Sequence, residues 1–263
     1  MDLHDYRDVA ENYDAYLDVM YSEHDNYEGF QDFYLDLART HGQAGTLDVA
    51  CGTGAVLLPL LQAGLDAEGT DISEAMCDVA RRKAETLGLH PRVFAANMTD
   101  LHPGRKYSLV VIARSGFMHL TTPEDQRRAL LSLRDCLTED GLLSLNTFAP
   151  HPLFQAQQMR TSPEDYTFRL EYTNREGRRE RIYNAITYDP MTQIMYGNWK
   201  FETLDAAGKV VAERIRPLKM RQTYKQEMLY LIELCGLEVV DCFGDYRSSR
   251  ADTGRYVWVL RKK

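Results

Sequence analysis

Apolar residues recur along this chain with two different periods, and the order of those periods predicts its architecture. Leu47 to Ala50 is a short apolar run broken by one acid, as in a strand buried on both faces of a parallel sheet. Val56, Leu57, Leu60 and Leu61 then fall at helical spacing, and the two patterns alternate to residue 148. Strands are expected at 46–50, 66–70, 92–96, 108–113 and 142–148, with helices near 54–64, 74–88 and 123–138. Such alternation implies a parallel sheet with helices on both faces.

From residue 151 to 221 the alternation stops. Segments 166–173, 179–188, 194–204 and 210–218 are rich in β-branched and aromatic residues, and the stretches 174–177, 189–192 and 205–208 between them are hairpin turn sequences. They predict an inserted antiparallel meander of four strands. Tyr196, Asn198, Lys200 and Glu202 would line its polar face, and Gly197, Trp199, Phe201 and Thr203 its apolar face. A helix is then expected to open at Thr223 and stop at Gly236, as a C-terminal cap should. Residues 238–243 and 255–260 read as two last strands around a polar loop, 246–253. Before all of this, Val9, Tyr13, Tyr16 and Met20 sit at three- and four-residue steps, so part of the leading segment is an amphipathic helix. A second helix is expected from Asp25 through Phe30, Phe33, Tyr34 and Leu37.

The candidate chemistry gathers at the strand ends. Gly52 and Gly54 directly follow the first strand and open a helix; there the missing Cβ atoms let a ligand approach backbone amides. The second strand ends in Asp71, a carboxylate suited to accept both hydroxyls of a ribose. A dinucleotide fingerprint would need a third glycine at position 57, where this chain has Leu57, which disfavours a pyrophosphate ligand.

The run Asp48-Val49-Ala50-Cys51-Gly52-Thr53-Gly54 resembles the first motif of class I S-adenosylmethionine-dependent methyltransferases. Asp71-Ile72-Ser73 with Met76 looks like that family's ribose acid and the apolar residue lying on the adenine. Ala96-Asn97-Met98 looks like its third motif, with Asn97 where an acid often sits. Residues 109–113 and 137–143 resemble its fourth strand and the turn into its fifth, and Asn12-Tyr13-Asp14 resembles an N-terminal segment that closes over the cofactor. The resemblance covers roughly residues 40–150 and the C-terminal end. It implies an α/β fold: a doubly wound, Rossmann-like seven-stranded sheet with an inserted antiparallel β meander and an N-terminal helical lid. The core would be residues 1–150 and 222–263, with the lid at 1–39 and the insert at 151–221. Cofactor-binding residues implied are Tyr13, Asp48, Ala50, Cys51, Gly52, Gly54, Asp71, Ile72, Met76, Asn97, Met98 and Arg114.

The loop Arg114-Ser115-Gly116-Phe117-Met118-His119-Leu120 would face the transferred methyl group. Arg114 could pair with the cofactor's carboxylate, with an anionic acceptor, or with an N-terminal acid. His119 stands where a general base should be, though a histidine before a helix also serves as a packing or capping residue. Cys51 reads better as a small residue filling a tight turn than as a nucleophile. Some small-molecule methyltransferases, including glycine and amino-sugar N-methyltransferases, carry a similar inserted sheet that roofs the acceptor or forms a dimer interface. Loop 246–253 could reach the acceptor's mouth.

Composition narrows the partners. The formal charge of −8 argues against a nucleic-acid polymer as the usual substrate. Five cysteines without a Cys-x-x-Cys pair read as reduced thiols, not a disulfide frame or metal site. The charged N-terminus lacks a signal-peptide core, and no stretch approaches the roughly 18 apolar residues of a membrane span, so a cytoplasmic protein is expected. The expected function is methyl transfer from S-adenosylmethionine to N or O of a small-molecule acceptor, without metal, membrane or nucleic-acid partner. Homodimerisation through the inserted sheet is one option. The alternatives are a macromolecule-modifying methyltransferase docking through the Arg175, Arg178, Arg179 and Arg181 turn, a cofactor-binding domain without transfer activity, and, less favoured, the NAD-linked oxidoreductase.

Overall fold

The computed structural model describes residue 6 and residues 9–22, 29–148, 151–247 and 255–263, without the side chains of residues 18 and 20–22. Helices α1 (Tyr13–Ser22) and α2 (Phe30–His41) lead into β1 (Thr46–Val49). Then follow α3 (Leu57–Gln62), β2 (Ala67–Asp71), α4 (Glu74–Thr86), β3 (Val93–Ala95), β4 (Tyr107–Ile112), α5 (Pro123–Cys136) and β5 (Leu137–Phe148). The start expected for α2, at residues 25–28, lies outside the described residues.

Strands β1–β5 join the C-terminal β10 (Leu237–Phe243) and β11 (Arg255–Lys262) in a seven-stranded sheet of order β10-β11-β5-β4-β1-β2-β3. β1 runs parallel to both β2 and β4, and the order reverses at the β1–β4 junction. β11 is antiparallel to β5 and to β10. The buried alternation of β4 explains why the sheet is covered twice. Val110 and Ile112 pack with Leu130, Leu133, Met228 and Ile232, whereas Leu109 and Val111 pack with Phe30, Tyr34, Leu57 and Leu60 on the opposite face.

Leu57 has a structural counterpart. A Cβ on Gly69 of β2 would stand 2.7 Å from Leu57 Cδ2 and 3.1 Å from Cys51 Sγ. The bare backbone of Gly69 therefore makes room for the large residue that replaces a third glycine.

Two boundaries and one added helix depart from expectation. β5 begins at Leu137, not at residue 142, and pairs there with Tyr107. Helix α7 spans Lys225–Leu234: the Glu227 carboxylate accepts from Tyr224 N at 2.9 Å, while Thr223 is engaged with the Gln126 side chain instead. An extra helix, α6 (Pro152–Gln158), stands where only the meander was expected. It is started by proline at its first position and by His151 Nδ1 accepting from Phe154 N at 3.4 Å.

The inserted sheet has the simple order β6 (Thr167–Thr173), β7 (Arg179–Asp189), β8 (Ile194–Leu204), β9 (Val210–Arg221). Met195, Gly197, Phe201 and Thr203 are buried on its inward face, and α1 lies against that face through Tyr16, whose ring meets Tyr172 at 6.1 Å and Phe201 at 5.9 Å. Further along the same face Tyr188, Met195 and Met220 enclose Met118, from the 3-10 turn Gly116–His119 that follows β4. The sheet thus closes over the carboxyl ends of the parallel strands.

The arginines of the turn between β6 and β7 are paired with acids. Arg175 meets Glu11 at 3.0 Å, Arg178 meets Glu176 at 3.6 Å, and Arg179 and Arg181 share Glu171 at 3.3 and 2.8 Å. Loop residue Tyr246 does not point to a ligand mouth: its ring packs on Phe30, Phe33 and Tyr34. Residues 248–253 of that loop lie outside the described residues.

Candidate active site

The cleft lies beyond the carboxyl ends of β1, β2 and β4, at the place where the strand order reverses. The chain leaves β1 through two residues in the left-handed region, Ala50 at φ 55° and Gly52 at φ 54°. This sharp turn brings Ala50, Cys51, Gly52 and Thr53 to the cleft wall, while Cys51 N and Gly54 N donate to the Thr70 and Cys51 carbonyls. A Cβ on Gly52 would meet nothing within 4 Å, so the turn opens on free space. Gly54, at φ 92°, has a different task. Its Cβ would fall 2.9 Å from Leu58 Cγ, and it does not line the cleft; it lets α3 pack close.

Asp71 ends β2 facing this turn. Its carboxylate accepts from Gly52 N and from Ser73 N, each at 2.9 Å, so one acid ties the glycine turn to the start of α4. A carboxylate is an acceptor-only group of the type that takes hydroxyl donors. Asp48, 1% exposed, accepts from Leu57 N at 3.1 Å with Oδ2. Its Oδ1 is buried with no hydrogen-bond partner among the described residues. Burial raises the Asp48 carboxyl to about 8, against the lowering effect of the Leu57 amide.

Ile72, 44% exposed, and the buried Met76 give the cleft an apolar wall beside Asp71, and Met98 adds to it from the loop after β3. Asn97 is partly used by its own turn, its Oδ1 accepting from Thr99 N at 3.0 Å. Arg114, at φ 50°, lines the cleft with its guanidinium 5.3 Å from the centre of the Phe30 ring. His119 lines it from the end of the 3-10 turn. Cys51 is buried and its thiol is pushed well up by burial and by nearby Asp48 and Asp71, which suits turn packing and not nucleophilic attack.

The N-terminal segment forms the remaining wall. Tyr6 and Tyr13 line the cleft, their rings edge to face at 6.1 Å. Asp14, one residue on, accepts from Thr53 Oγ1 at 2.5 Å and pairs with Lys83 at 2.9 Å; Lys83 also donates to the Thr53 carbonyl at 2.9 Å. Glu11 bridges Arg82 of α4 and Arg175 of the inserted sheet, and Asn12 Oδ1 accepts from Arg175 N at 2.9 Å. Residues 11–14 therefore fasten α1 to the glycine turn, to α4 and to the insert at once.

Of the residues singled out from the sequence, all but Gly54 meet in this cleft. Sequence reasoning missed Tyr6, Thr53, Thr99, Thr121, Asp125 and Arg128, which also line it. Asp125 and Arg128 sit one turn apart on the first turns of α5, an i, i+3 pair at 3.6 Å that reads in sequence as helix capping. Among the described residues, no group of three or more His, Cys, Asp or Glu is placed to hold a metal, and no helix is long and apolar enough to cross a membrane.

Residues 46–141 match the methyltransferase domain family. Among curated proteins the chain is similar to a glycine/sarcosine N-methyltransferase of Parasynechococcus marenigrum, 32% identical over 119 residues, 44% of this chain and 42% of that protein. It is also similar to a dTDP-3-amino-3,4,6-trideoxy-alpha-D-glucopyranose N,N-dimethyltransferase of Streptomyces venezuelae, 34% identical over 106 residues, 40% of this chain and 43% of that one. The chain spans about half the length of the curated relatives it matches. The crystal structure of an S-adenosylmethionine-dependent methyltransferase from Clostridium acetobutylicum superposes with a TM-score of 0.74 over 90% of this chain and 92% of that chain. At 18% identity that likeness is one of fold.

Proposed function

We propose that this chain, which belongs to the class I S-adenosylmethionine-dependent methyltransferases, moves a methyl group from S-adenosylmethionine to a nitrogen or oxygen of a small, polar acceptor. The observation that carries this reading is Asp71 held by Gly52 N and Ser73 N beside an open glycine turn and an apolar wall. Those are the groups a nucleoside needs. The orphaned Oδ1 of Asp48 supports the other end of the same ligand, since an ammonium group would supply the partner it lacks.

When bound, the cofactor supplies an electrophilic methyl on a sulfonium, so the protein's part is to hold donor and acceptor close and aligned. Asp71 would hold the ribose, Ile72 and Met76 the adenine face, and Asp48 with the amides after β1 the methionine end. His119 and the Tyr6 and Tyr13 phenols border the side left for the acceptor. His119 would take a proton from an ammonium or hydroxyl acceptor; an acceptor arriving as a free amine needs no base. Residues 151–221 act as a roof in this reading, because their inward face closes over the 3-10 turn bearing His119. The activities of those relatives, on glycine or sarcosine and on a dTDP-linked amino sugar, favour nitrogen as the methylated atom.

The test is calorimetric titration with S-adenosylmethionine and, separately, NADH, followed by transfer of labelled methyl to a panel of amines and phenols. Micromolar binding of the methionine nucleoside with no NADH binding is expected. NADH preference sinks the reading.

The N-terminal latch gives a smaller prediction. Lys83→Met removes the partner of Asp14 and of the Thr53 carbonyl. An exposed or half-exposed pair is worth about 1 kcal/mol or less. Affinity for S-adenosylmethionine should fall about two- to fivefold by calorimetry, with the melting temperature of the free protein nearly unchanged. A loss in melting temperature without a loss in affinity would assign the latch to packing alone.

A further inference from the structure

The inward face of the inserted sheet carries two arginines one pleat apart on β9, and they are treated differently. Arg214, opposite Phe201, is neutralised: the buried Glu180 meets it at 3.1 Å and also accepts from Tyr172 and Asn174. Arg216, opposite Trp199, meets no carboxylate among the described residues. It is half-buried, and its guanidinium lies 3.5 Å from the centre of the Tyr6 ring, which lines the cleft. The row Asn184, Trp199, Arg216 falls between two apolar clusters, the one around Tyr16 and Phe201 and the one around Met118 and Met195. It is the polar strip of a face that otherwise buries apolar groups, and it reaches the cleft through Tyr6, which Arg216 touches and which lines it.

A half-buried guanidinium with no carboxylate partner among the described residues costs free energy, in a protein of net charge −8 with 39 acids. We propose that Arg216 binds an anionic group of the methyl acceptor, so that the acceptor is an amine or alcohol bearing a carboxylate or a phosphate. This rests on the methyltransferase reading and adds the acceptor's charge to it. The Tyr6 ring lies against the guanidinium, and one phenol can take only part of its five donors. A planar fork of donors matches either anion in bidentate fashion.

Binding of S-adenosylhomocysteine is measured first by calorimetry, and its complex is then titrated with acetate and with inorganic phosphate. Wild type, Arg216→Ala and Arg216→Lys are compared. The nucleoside should bind all three within about threefold. The wild-type complex should bind at least one of the two anions, and which one it binds identifies carboxylate or phosphate. Arg216→Ala should weaken that anion at least tenfold, with Arg216→Lys in between because the charge stays and the fork is lost. If the nucleoside binds but neither anion does, or if Arg216→Ala binds the anion as well as wild type, the inference falls and the methyltransferase reading stands. If Arg216→Ala weakens the nucleoside itself tenfold and no anion effect is seen, Arg216 merely anchors the N-terminal wall. Failure of the nucleoside to bind wild type overturns the underlying reading instead.

Discussion

Asp71→Ala is expected to weaken S-adenosylmethionine binding about 100-fold while leaving a folded protein. Hydrogen bonds to a charged acceptor are worth about 1.5–3 kcal/mol each, and a loss of about 2.7 kcal/mol is a factor of about 100. The substitution takes away the acceptor for ribose hydroxyls, and it also releases Gly52 N and Ser73 N, which Asp71 holds at 2.9 Å. The glycine turn then loses its tie to α4, so part of the effect is loss of preorganisation. Asp71→Asn separates the two contributions. The amide oxygen can keep one backbone bond but carries no charge, and its affinity should lie between alanine and wild type. Calorimetry reads the affinities, and circular dichroism checks the fold. If the alanine variant binds within threefold of wild type, Asp71 is a turn-holding residue and the nucleoside sits elsewhere.

Most of the fold was legible because the sequence uses a different period for each layer. β4 is apolar at every position that packs, and the four meander segments lie within three residues of the observed β6–β9. What escaped depends on tertiary context. Helix α6 is a single short element whose stripe is unremarkable, with Leu153 77% exposed, so no periodicity announces it. β5 extends back to Leu137 because Tyr107 pairs with it, a contact across some thirty residues that no local pattern contains. In the site, the strand-end residues were readable because a glycine turn and a terminal acid have a spacing of their own. Gly54 was readable as a glycine of the turn but not as a packing glycine, since only the position of Leu58 reveals that. Asp125, Arg128 and Arg216 were not readable. Each sits in an ordinary helix-cap or strand pattern, and only the packing of α5 and the inserted sheet brings Asp125 and Arg128 into the cleft lining and Arg216 onto Tyr6 beside it.

Asp48 makes cofactor binding depend on pH, with a sign fixed by its burial. Its carboxyl is raised to about 8, so in the free protein it is protonated through most of the neutral range. A group with a folded pKa above its unfolded value stabilises the fold at low pH, and that contribution is lost as pH rises from about 4 through 8. Binding an ammonium beside Oδ1 favours the ionised form instead, so the complex forms with release of a proton. Affinity for S-adenosylmethionine should therefore rise about tenfold per pH unit at most between pH 6 and 8, and stop rising near pH 8. There Asp48 is already ionised in the free protein, and an α-amino group begins to lose its own proton at about 7.7–8.0. Asp48→Asn mimics the protonated acid and can still accept from Leu57 N through its amide oxygen. It should bind as wild type does at pH 6, with no rise toward pH 8. The deficit at pH 8 then approaches 100-fold. Calorimetry in two buffers of different ionisation enthalpy counts the proton directly: one released on binding at pH 7 by wild type, none from this group in the asparagine variant. A flat wild-type profile would mean that Asp48 stays neutral in the complex and contributes only its hydrogen bond to Leu57 N, leaving the methionine end to be held by the backbone amides and Arg114.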